Sequence, residues 1–233
     1  MIGTLIPQTV ETIPMNTNDI SMDLECLSVR PDAPIIAIGA VLFDRTTGKI
    51  SSTFYKEIAI DSAIRSGTVS ADTIRWWINQ NRDAKRIFDT PDSEKPSLAT
   101  ALLEFTTWAR GVGKGVPRVW ANGPAEDVAW LRHALIHGAV GLGEPWHHTN
   151  VRDLRTIVEL AEEIAGFDRT TVDAVGTSHN ALDDATYQAN LISACYAALR
   201  KYGAGTVVIK AGPPSKLRST PLKAATPDDS DEL

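Results

Sequence analysis

The sequence predicts an α/β fold, a single domain in which a mixed β-sheet is flanked by helices. Strand-like segments come first and then alternate with helix-like segments, in the order βββ, α, β, α, β, α, α. The run IIAIGAVLFD is apolar almost throughout, as is typical of a central strand that is covered on both faces. A hydrophobic share of 43% in 233 residues is enough for one packed core.

The first three segments predict an antiparallel meander. DISMDLECL alternates between apolar and polar residues, which indicates a strand with two different faces. IIAIGAVLFD follows it, and RTTGK supplies the turn into a third strand, ISSTFYKEIAI. The sheet is therefore expected to start with these strands and to continue through helical crossovers.

The middle of the chain shows helix signals. Ser70 is a suitable N-cap for a helix that contains TIRWWINQ, because its hydroxyl can accept from a free backbone amide. PSLATALLEFTTWAR has the apolar spacing of an amphipathic helix. PRVWAN then predicts a short strand.

The last third alternates in the same way. Gly123-Pro124 is predicted to open a helix, since proline suits a first helical turn. WHHTNVRD indicates a strand, and LRTIVELAEEIAG a helix that ends at Gly166. The final helix is expected from about residue 181 to 201.

Composition predicts where the domain ends and where the protein works. Residues 1–18 are expected to form an N-terminal tail, 19–202 the domain, and 203–233 a flexible tail rich in Pro, Ser and Thr with an acidic end. Cys26 and Cys195 are too few for a disulfide framework or a four-thiolate zinc site. Because no basic signal region or membrane-length apolar run is present, we expect a soluble, cytoplasmic protein without a membrane partner.

The net charge of −6 predicts that the domain has no large basic patch. The two tails account for part of it, and divalent cations bound by carboxylates would offset the remainder. The charge therefore does not exclude a nucleic-acid substrate.

Asp23 and Glu25 form the first candidate pair. Residues i and i+2 of a strand point to the same face, so the two carboxylates are expected side by side. Like charges at this distance repel unless a cation lies between them. The alternative is a solvated strand face, which Asp19 and Ser21 would share.

Asp127 is the second candidate. On a helical wheel it falls within the apolar stripe of its helix, while Glu126 points away from that stripe. An acid on the core face must be paired or bound to a metal, because burying it alone is costly. The alternative is an acid that complements the helix N-terminus.

The segment HNALDDA holds the third candidate. Asp184 lies at the edge of the apolar face of the last helix, and Asp183 is expected to point toward water. His179 precedes this helix and can reach over a site at the helix end. The alternative for His179 is a surface loop or cap residue.

Taken together, DLE at 23–25, NGPAED at 122–127 and HNALDD at 179–184 resemble the three motifs of the DEDDh 3′–5′ exonucleases. That family has the ribonuclease H-like fold and includes the proofreading subunit of DNA polymerase III, oligoribonuclease and RNase T. The sequence resembles in particular the branch with the RNase AS-type exoribonucleases and related phage and bacterial exonucleases. The likeness covers roughly residues 19–200.

The resemblance implies an activity. Asp23, Glu25, Asp127 and Asp184 would hold two Mg²⁺ or Mn²⁺ ions, which suit carboxylate ligands. His179 would be the general base that activates a water. The expected product is a nucleoside 5′-monophosphate, released from the 3′ end of single-stranded RNA or DNA. A homodimer is also expected by resemblance.

Further residues follow from the same likeness. The expected substrate-binding residues are Leu24, Cys26, Trp76, Trp77 and Asn122, together with Arg30 as the nearest basic residue for a phosphate contact. Adjacent helix residues point about 100° apart, so the alternative for either tryptophan is a place in the core. Asp153 and Arg155 are expected to support the site as partners of one another. Cys26 and Glu126 replace residues that relatives often carry as Thr and Phe. Two alternatives remain, a catalytically weak nucleic-acid-binding domain with this fold and a ribonuclease H-type endonuclease.

Overall fold

A computed structural model describes residues 18–138 and 141–203. Five strands form one sheet in the order β3-β2-β1-β4-β5. The first three pair antiparallel, whereas β4 pairs parallel with β1 and β5 parallel with β4. The strands are β1 (Asp19–Cys26), β2 (Ile35–Phe43), β3 (Ile50–Glu57), β4 (Arg118–Ala121) and β5 (Val151–Asp153). This mixed sheet with flanking helices confirms the predicted fold class.

Six α-helices accompany the sheet in the described part of the chain. They are α1 (Ile60–Ala63), α2 (Ala71–Ile78), α3 (Leu98–Gly111), α4 (Asp127–His137), α5 (Leu154–Ala165) and α6 (Ala181–Gly203). Ser70 caps α2 as predicted, by accepting from the Thr73 amide. Gly166 ends α5 in the left-handed conformation, with φ of 62°. None of the described helices is both long and apolar enough to cross a membrane.

The two faces of the sheet carry different layers. On one face, α3 and α4 cover apolar side chains of β1 and β2, including Met22 and Ile38. On the other face, α5 and α6 pack with Val41 and Phe43. Asp23 and Glu25 belong to this second face, because β1 alternates its side chains between the layers.

Gly39 fixes how closely α6 approaches the sheet. It pairs with Asp23 on β1 and with Tyr55 on β3, in the centre of the face that α6 covers. A Cβ atom at Gly39 would lie 2.0 Å from the backbone carbonyl carbon of Ala181. The backbone at the start of α6 therefore rests directly on β2, next to the acidic strand.

Several element boundaries differ from the expectation. Helix α4 begins at Asp127, because Gly123, at φ of 108°, and the following residues form a turn instead of a helical start. The last long strand shortens to β5, since the residues before it form a 3-10 turn at His148–Asn150. The C-terminal helix extends to Gly203, which had been expected as the first tail residue. The rest of the predicted tails, 1–17 and 204–233, lies outside the described residues.

Candidate active site

Three of the predicted metal-binding carboxylates meet at one point. Asp23, Glu25 and Asp184 each place an oxygen within 4.8 Å of the other two. Strand β1 supplies the first two and the first turn of α6 supplies the third. The contact of α6 with Gly39 brings these elements together.

Burial and mutual repulsion raise the pKa values of these acids. Burial is the larger cause for Glu25, and the charges of Asp184 and Asp127 add to it, so its pKa rises to about 8. The pKa of Asp23 is raised well above its ordinary value by burial, then by Asp127 and Glu25. Burial also raises the pKa of Asp184. In the absence of a cation, the cluster therefore holds protons at neutral pH.

The same strand shows how a buried acid is otherwise stabilised. Asp19 is fully buried, and it accepts from Arg45 at 2.8 Å, from Arg118 at 2.8 and 2.9 Å, and from the Trp120 indole. Ser21 is also fully buried. The solvated-face alternative for β1 is therefore wrong, because two of the residues that would share that face are inaccessible to water.

Asp23 and Glu25 have no such cationic partner among the described ion pairs. Gln188 donates to Asp23 Oδ1 at 2.8 Å, and Glu25 Oε1 is buried with no hydrogen-bond partner in the described part of the chain. A buried carboxylate oxygen needs a donor or a cation. The donor set, hard oxygens only, therefore fits a divalent cation such as Mg²⁺ or Mn²⁺.

Asp127, the fourth predicted ligand, is buried at the start of α4, while Glu126 is exposed. The helical wheel therefore predicted their orientations correctly. Asp127 is not among the three carboxylates that meet within 4.8 Å, but its charge raises the pKa of Asp23 and Glu25. Its own pKa rises to about 7, chiefly through burial and then through Glu126.

His179 lies in the loop directly before α6. Its φ of 66° is left-handed, a conformation in which histidine is enriched among non-glycine residues. Its backbone N–H donates to Asp184 Oδ2 at 2.8 Å, so one carboxylate anchors this loop. Its imidazole makes a perpendicular contact with Trp76, with 4.7 Å between ring centroids.

Asp183 does not point to water as expected. It is half-buried, and its Oδ2 accepts from the Thr177 amide at 2.8 Å. Asn180 caps α6 by accepting from the amides of Leu182 and Asp183. The two acids of this motif therefore differ in their contacts, since Asp183 holds the preceding loop and Asp184 faces the cluster.

The two tryptophans have separate environments. Trp76 is 42% exposed, whereas Trp77 is 2% exposed and its indole N–H donates to the Cys26 carbonyl at 3.0 Å. Trp77 is therefore mainly a core residue, and its expected substrate contact is limited to the small part of the side chain that lines a cavity beside Trp76. Cys26 is itself buried, and its backbone carbonyl accepts this hydrogen bond from Trp77.

Two cavities meet at Leu24 and Glu25. The acidic cavity, of about 500 Å³, is lined by the carboxylates Asp23, Glu25 and Asp184 and by His179. The tryptophan cavity, of about 410 Å³, has a mostly apolar wall. Its lining includes Cys26, Val29, Trp76, Trp77 and Trp130.

The remaining predicted residues have mixed positions. Asn122 lines the acidic cavity and accepts from Arg155 Nε at 3.3 Å. Asp153 caps α5 by accepting from the Arg155 amide, so its contact with Arg155 is through the backbone and the guanidinium group turns to Asn122. Arg30 is paired with Asp32 at 3.2 Å and lines neither cavity.

The cavities are also lined by residues that the sequence did not point to, among them Gln188, Arg169 and Trp130. Gln188 had a detectable signal, because it lies one turn after Asp184 on the same helix face. Arg169 and Trp130 gave no local signal, since their approach to the site depends on how α4, α5 and β1 pack.

We expect metal binding to release protons from this cluster. The metal-free carboxylates are protonated in part at neutral pH, and a cation displaces those protons. The affinity for Mn²⁺ should therefore increase as pH rises through about 7 and 8. Calorimetry in two buffers of different protonation enthalpy measures the released protons, with Glu104→Gln on α3 as a surface control. Equal heats in both buffers at pH 7 would contradict it.

The same shifts fix the sign of the pH effect on stability. The folded-state pKa values of Glu25 and Asp127 lie above the ordinary 4.5 and 3.8, so their stabilising contribution is complete at low pH. It is lost as pH rises through their folded values. The melting temperature of the metal-free protein should fall between pH 5 and pH 9, and saturating Mn²⁺ should reduce this fall.

Comparison with solved structures identifies the fold. The chain is similar to Schizosaccharomyces pombe Pop2p with Mg²⁺ and Mn²⁺ bound, at 16% identity, 76% coverage of this chain and 81% of that chain, and a TM-score of 0.53. For the nuclease domain of 3′hExo, a DEDDh family member bound to rAMP, the values are 14%, 82%, 94% and 0.52. For a 3′-exonuclease recognising a histone mRNA stem-loop they are 14%, 82%, 83% and 0.51. The fold is thus that of the ribonuclease H-like DEDDh 3′–5′ exonucleases.

A match to a family model identifies the family to which the chain belongs. A family model described as the 3′–5′ exoribonuclease Rv2179c-like domain matches residues 18–196, and the chain belongs to that family. A comparison with curated proteins found no match. Family and fold together support a nuclease, which confirms the resemblance found in the three motifs.

Proposed function

We propose that this protein is a metal-dependent exonuclease that removes nucleoside 5′-monophosphates from the 3′ end of single-stranded RNA. The observation that carries this proposal is the meeting of Asp23, Glu25 and Asp184 in a member of an exoribonuclease family. We choose RNA over DNA as the proposed substrate because the family is described as exoribonuclease. The similar structure with rAMP is consistent with that preference.

The carboxylates would hold two divalent cations. Asp23, Glu25 and Asp184 would offer oxygens to one of them, and Asp127, a buried acid whose charge raises the pKa of Asp23, would join Asp23 at the second. When bound, such ions stabilise the charge on the attacking and leaving oxygens of a phosphodiester. The Mg²⁺ and Mn²⁺ in the similar Pop2p structure support this choice of metals.

His179 would act as the general base. It lines the acidic cavity beside Asp184, and an imidazole takes up a proton from water near neutral pH. The backbone bond to Asp184 and the perpendicular contact with Trp76 hold it over the cluster. Its left-handed backbone fixes the direction in which the side chain leaves the loop.

The tryptophan cavity would take the terminal base. Trp76 is the exposed aromatic ring of this cavity, and Leu24 is shared with the acidic cavity. Stacking on an aromatic side chain contributes roughly 1–3 kcal/mol per base and does not distinguish one base from another. We therefore expect terminal bases of all four kinds to be accepted.

One experiment tests the activity, its direction and the sugar preference together. The protein is incubated with Mn²⁺ or Mg²⁺ and single-stranded RNA or DNA of equal sequence, labelled at the 5′ or the 3′ end. We expect a descending ladder from 5′-labelled RNA and immediate release of labelled mononucleotide from 3′-labelled RNA. Internal fragments would indicate an endonuclease, and binding without hydrolysis would indicate the catalytically weak binding domain.

A further inference from the structure

The acidic cavity also contains two arginine side chains to which the three motifs assign no contact with substrate. Arg155 belongs to α5, and Arg169 to the 3-10 turn at Arg169–Thr171. Both side chains are exposed to solvent at the cavity, and they line it together with Asp23, Glu25 and Asp184. A cavity with carboxylates and guanidinium groups on its wall has separate places for cations and for anions.

Neighbouring groups hold both guanidinium groups in place. Arg169 donates to Glu162 through Nε at 2.6 Å and Nη2 at 2.8 Å, and Arg155 donates through Nε to Asn122 at 3.3 Å. A guanidinium group carries five N–H donors, so each arginine keeps free donors after these contacts. Arginine in a fixed orientation suits a phosphate group, which accepts two parallel hydrogen bonds.

The arrangement of the two cavities indicates which phosphate this is. They share Leu24 and Glu25, so a scissile phosphodiester at the carboxylates lies where they meet. With the terminal nucleoside in the tryptophan cavity, the acidic cavity is available to the part of the strand on the 5′ side of the scissile bond. That strand is anionic, and the arginines are on its side of the junction.

We propose that Arg169, together with Arg155 in the same cavity, binds the phosphodiester next to the scissile one on its 5′ side. The proposal rests on the proposed function, because it requires the scissile bond at the carboxylate cluster. The ligand is the sugar-phosphate backbone, so the subsite favours strands with at least two phosphodiesters and reads no base.

Substrate length tests this subsite. A dinucleoside monophosphate has the scissile phosphodiester alone, whereas a trinucleoside diphosphate also has the neighbouring one. With Arg169→Gln we expect the KM for the trinucleoside to rise about tenfold, as for one lost charge-assisted hydrogen bond, and the KM for the dinucleoside to stay unchanged. Equal increases for both substrates, or no increase for either, would overturn the subsite.

Binding without turnover gives an independent readout. Fluorescence anisotropy of a 5′-labelled oligoribonucleotide, with Ca²⁺ in place of Mg²⁺, measures affinity as a function of salt. One lost phosphate contact should reduce the slope of log affinity against log salt by about 0.7 for a single strand. An unchanged slope in Arg169→Gln would count against a phosphate contact.

Arg132→Gln is the matched control. Arg132 also forms a surface ion pair, with Glu144 at 3.1 Å, and lines neither cavity. The Arg132→Gln substitution removes the same charge, and it should leave both the ratio of the two KM values and the slope of log affinity against log salt unchanged. If the wild-type protein hydrolyses neither substrate, the proposed function fails. If the wild type is active and Arg169→Gln matches it, the subsite alone fails.

Discussion

Replacing Asp184 with asparagine is expected to abolish metal-dependent hydrolysis while leaving the domain folded. The amide keeps an oxygen to accept from the His179 N–H, so the loop stays anchored, but the charge that faces Asp23 and Glu25 is lost. A bound metal contributes several kcal/mol to the reaction, which corresponds to a rate loss on the order of 10³-fold. The measurement is kcat with single-stranded RNA at saturating Mn²⁺.

The neighbouring Asp183 provides the control. Asp183→Asn makes the same chemical change one residue away, at a side chain that holds the Thr177 amide. We expect it to reduce kcat by less than about tenfold, since its contact is with the loop and not with the cluster. Equal losses in both variants, or normal hydrolysis by Asp184→Asn, would contradict the metal assignment.

Stability should separate the loss of function from unfolding. Burial and neighbouring charge raise the pKa of Asp184, so its ionised form is disfavoured in the metal-free fold. The metal-free Asp184→Asn protein should therefore melt at or above the temperature of the wild type at pH 8. A large decrease would show that Asp184 acts mainly as a structural residue.

His179→Ala distinguishes a base from a ligand. Its side chain lies beside the cluster, and the three-carboxylate group does not include it. We expect a severe loss of kcat with an unchanged affinity for Mn²⁺ in calorimetry. A collapse of the metal affinity would make His179 a ligand.

Replacing Gly39 with alanine is expected to damage both the fold and the site. Its Cβ would meet the Ala181 carbonyl carbon at 2.0 Å and the Leu182 nitrogen at 2.3 Å. Both are backbone atoms, so α6 itself has to move. Overpacking of this kind costs about 3 kcal/mol, which lowers the melting temperature of a domain this size by roughly 10 °C.

Activity should fall together with stability in this variant. A displacement of α6 by about 1 Å separates Asp184 from Asp23, and such a misplacement reduces the rate on the order of 10²-fold. Gly111→Ala, at the end of α3 where the added Cβ has no neighbour within 4 Å, should leave both unchanged. A normal melting temperature and normal activity of Gly39→Ala would show that neither stability nor activity depends on the close packing of α6 against β2.

Local periodicity was sufficient to predict the orientation of the key acids. The strand period placed Asp23 and Glu25 on one face, and the helical wheel distinguished buried Asp127 from exposed Glu126. The helical wheel was wrong for Asp183, because the loop from Thr177 folds back over that side chain. A wheel describes a helix in isolation and contains no information about what covers it.

Tertiary contacts explain the other differences. WHHTNVRD was expected to form one strand, but its first part contains a 3-10 turn, at which the rings of His147 and His148 approach to 4.1 Å. Trp77 was expected to contact substrate, but it is 2% exposed, and its indole N–H donates to the carbonyl of Cys26, which is distant in sequence. Arg169 reaches the acidic cavity through the position of α5, which no local pattern encodes.

The position of α6 also has a consequence for the timing of assembly during translation. β1 is the first described strand and α6 the last described helix, so the ribosome makes Asp23 and Glu25 early and Asp184 late. Chains on the ribosome fold from the N-terminal end as they emerge. A nascent chain that ends before the loop of His179 therefore has Asp23, Glu25 and Asp127 but neither His179 nor Asp184. The complete set of four carboxylates and the histidine therefore exists only after almost the whole domain has been synthesised.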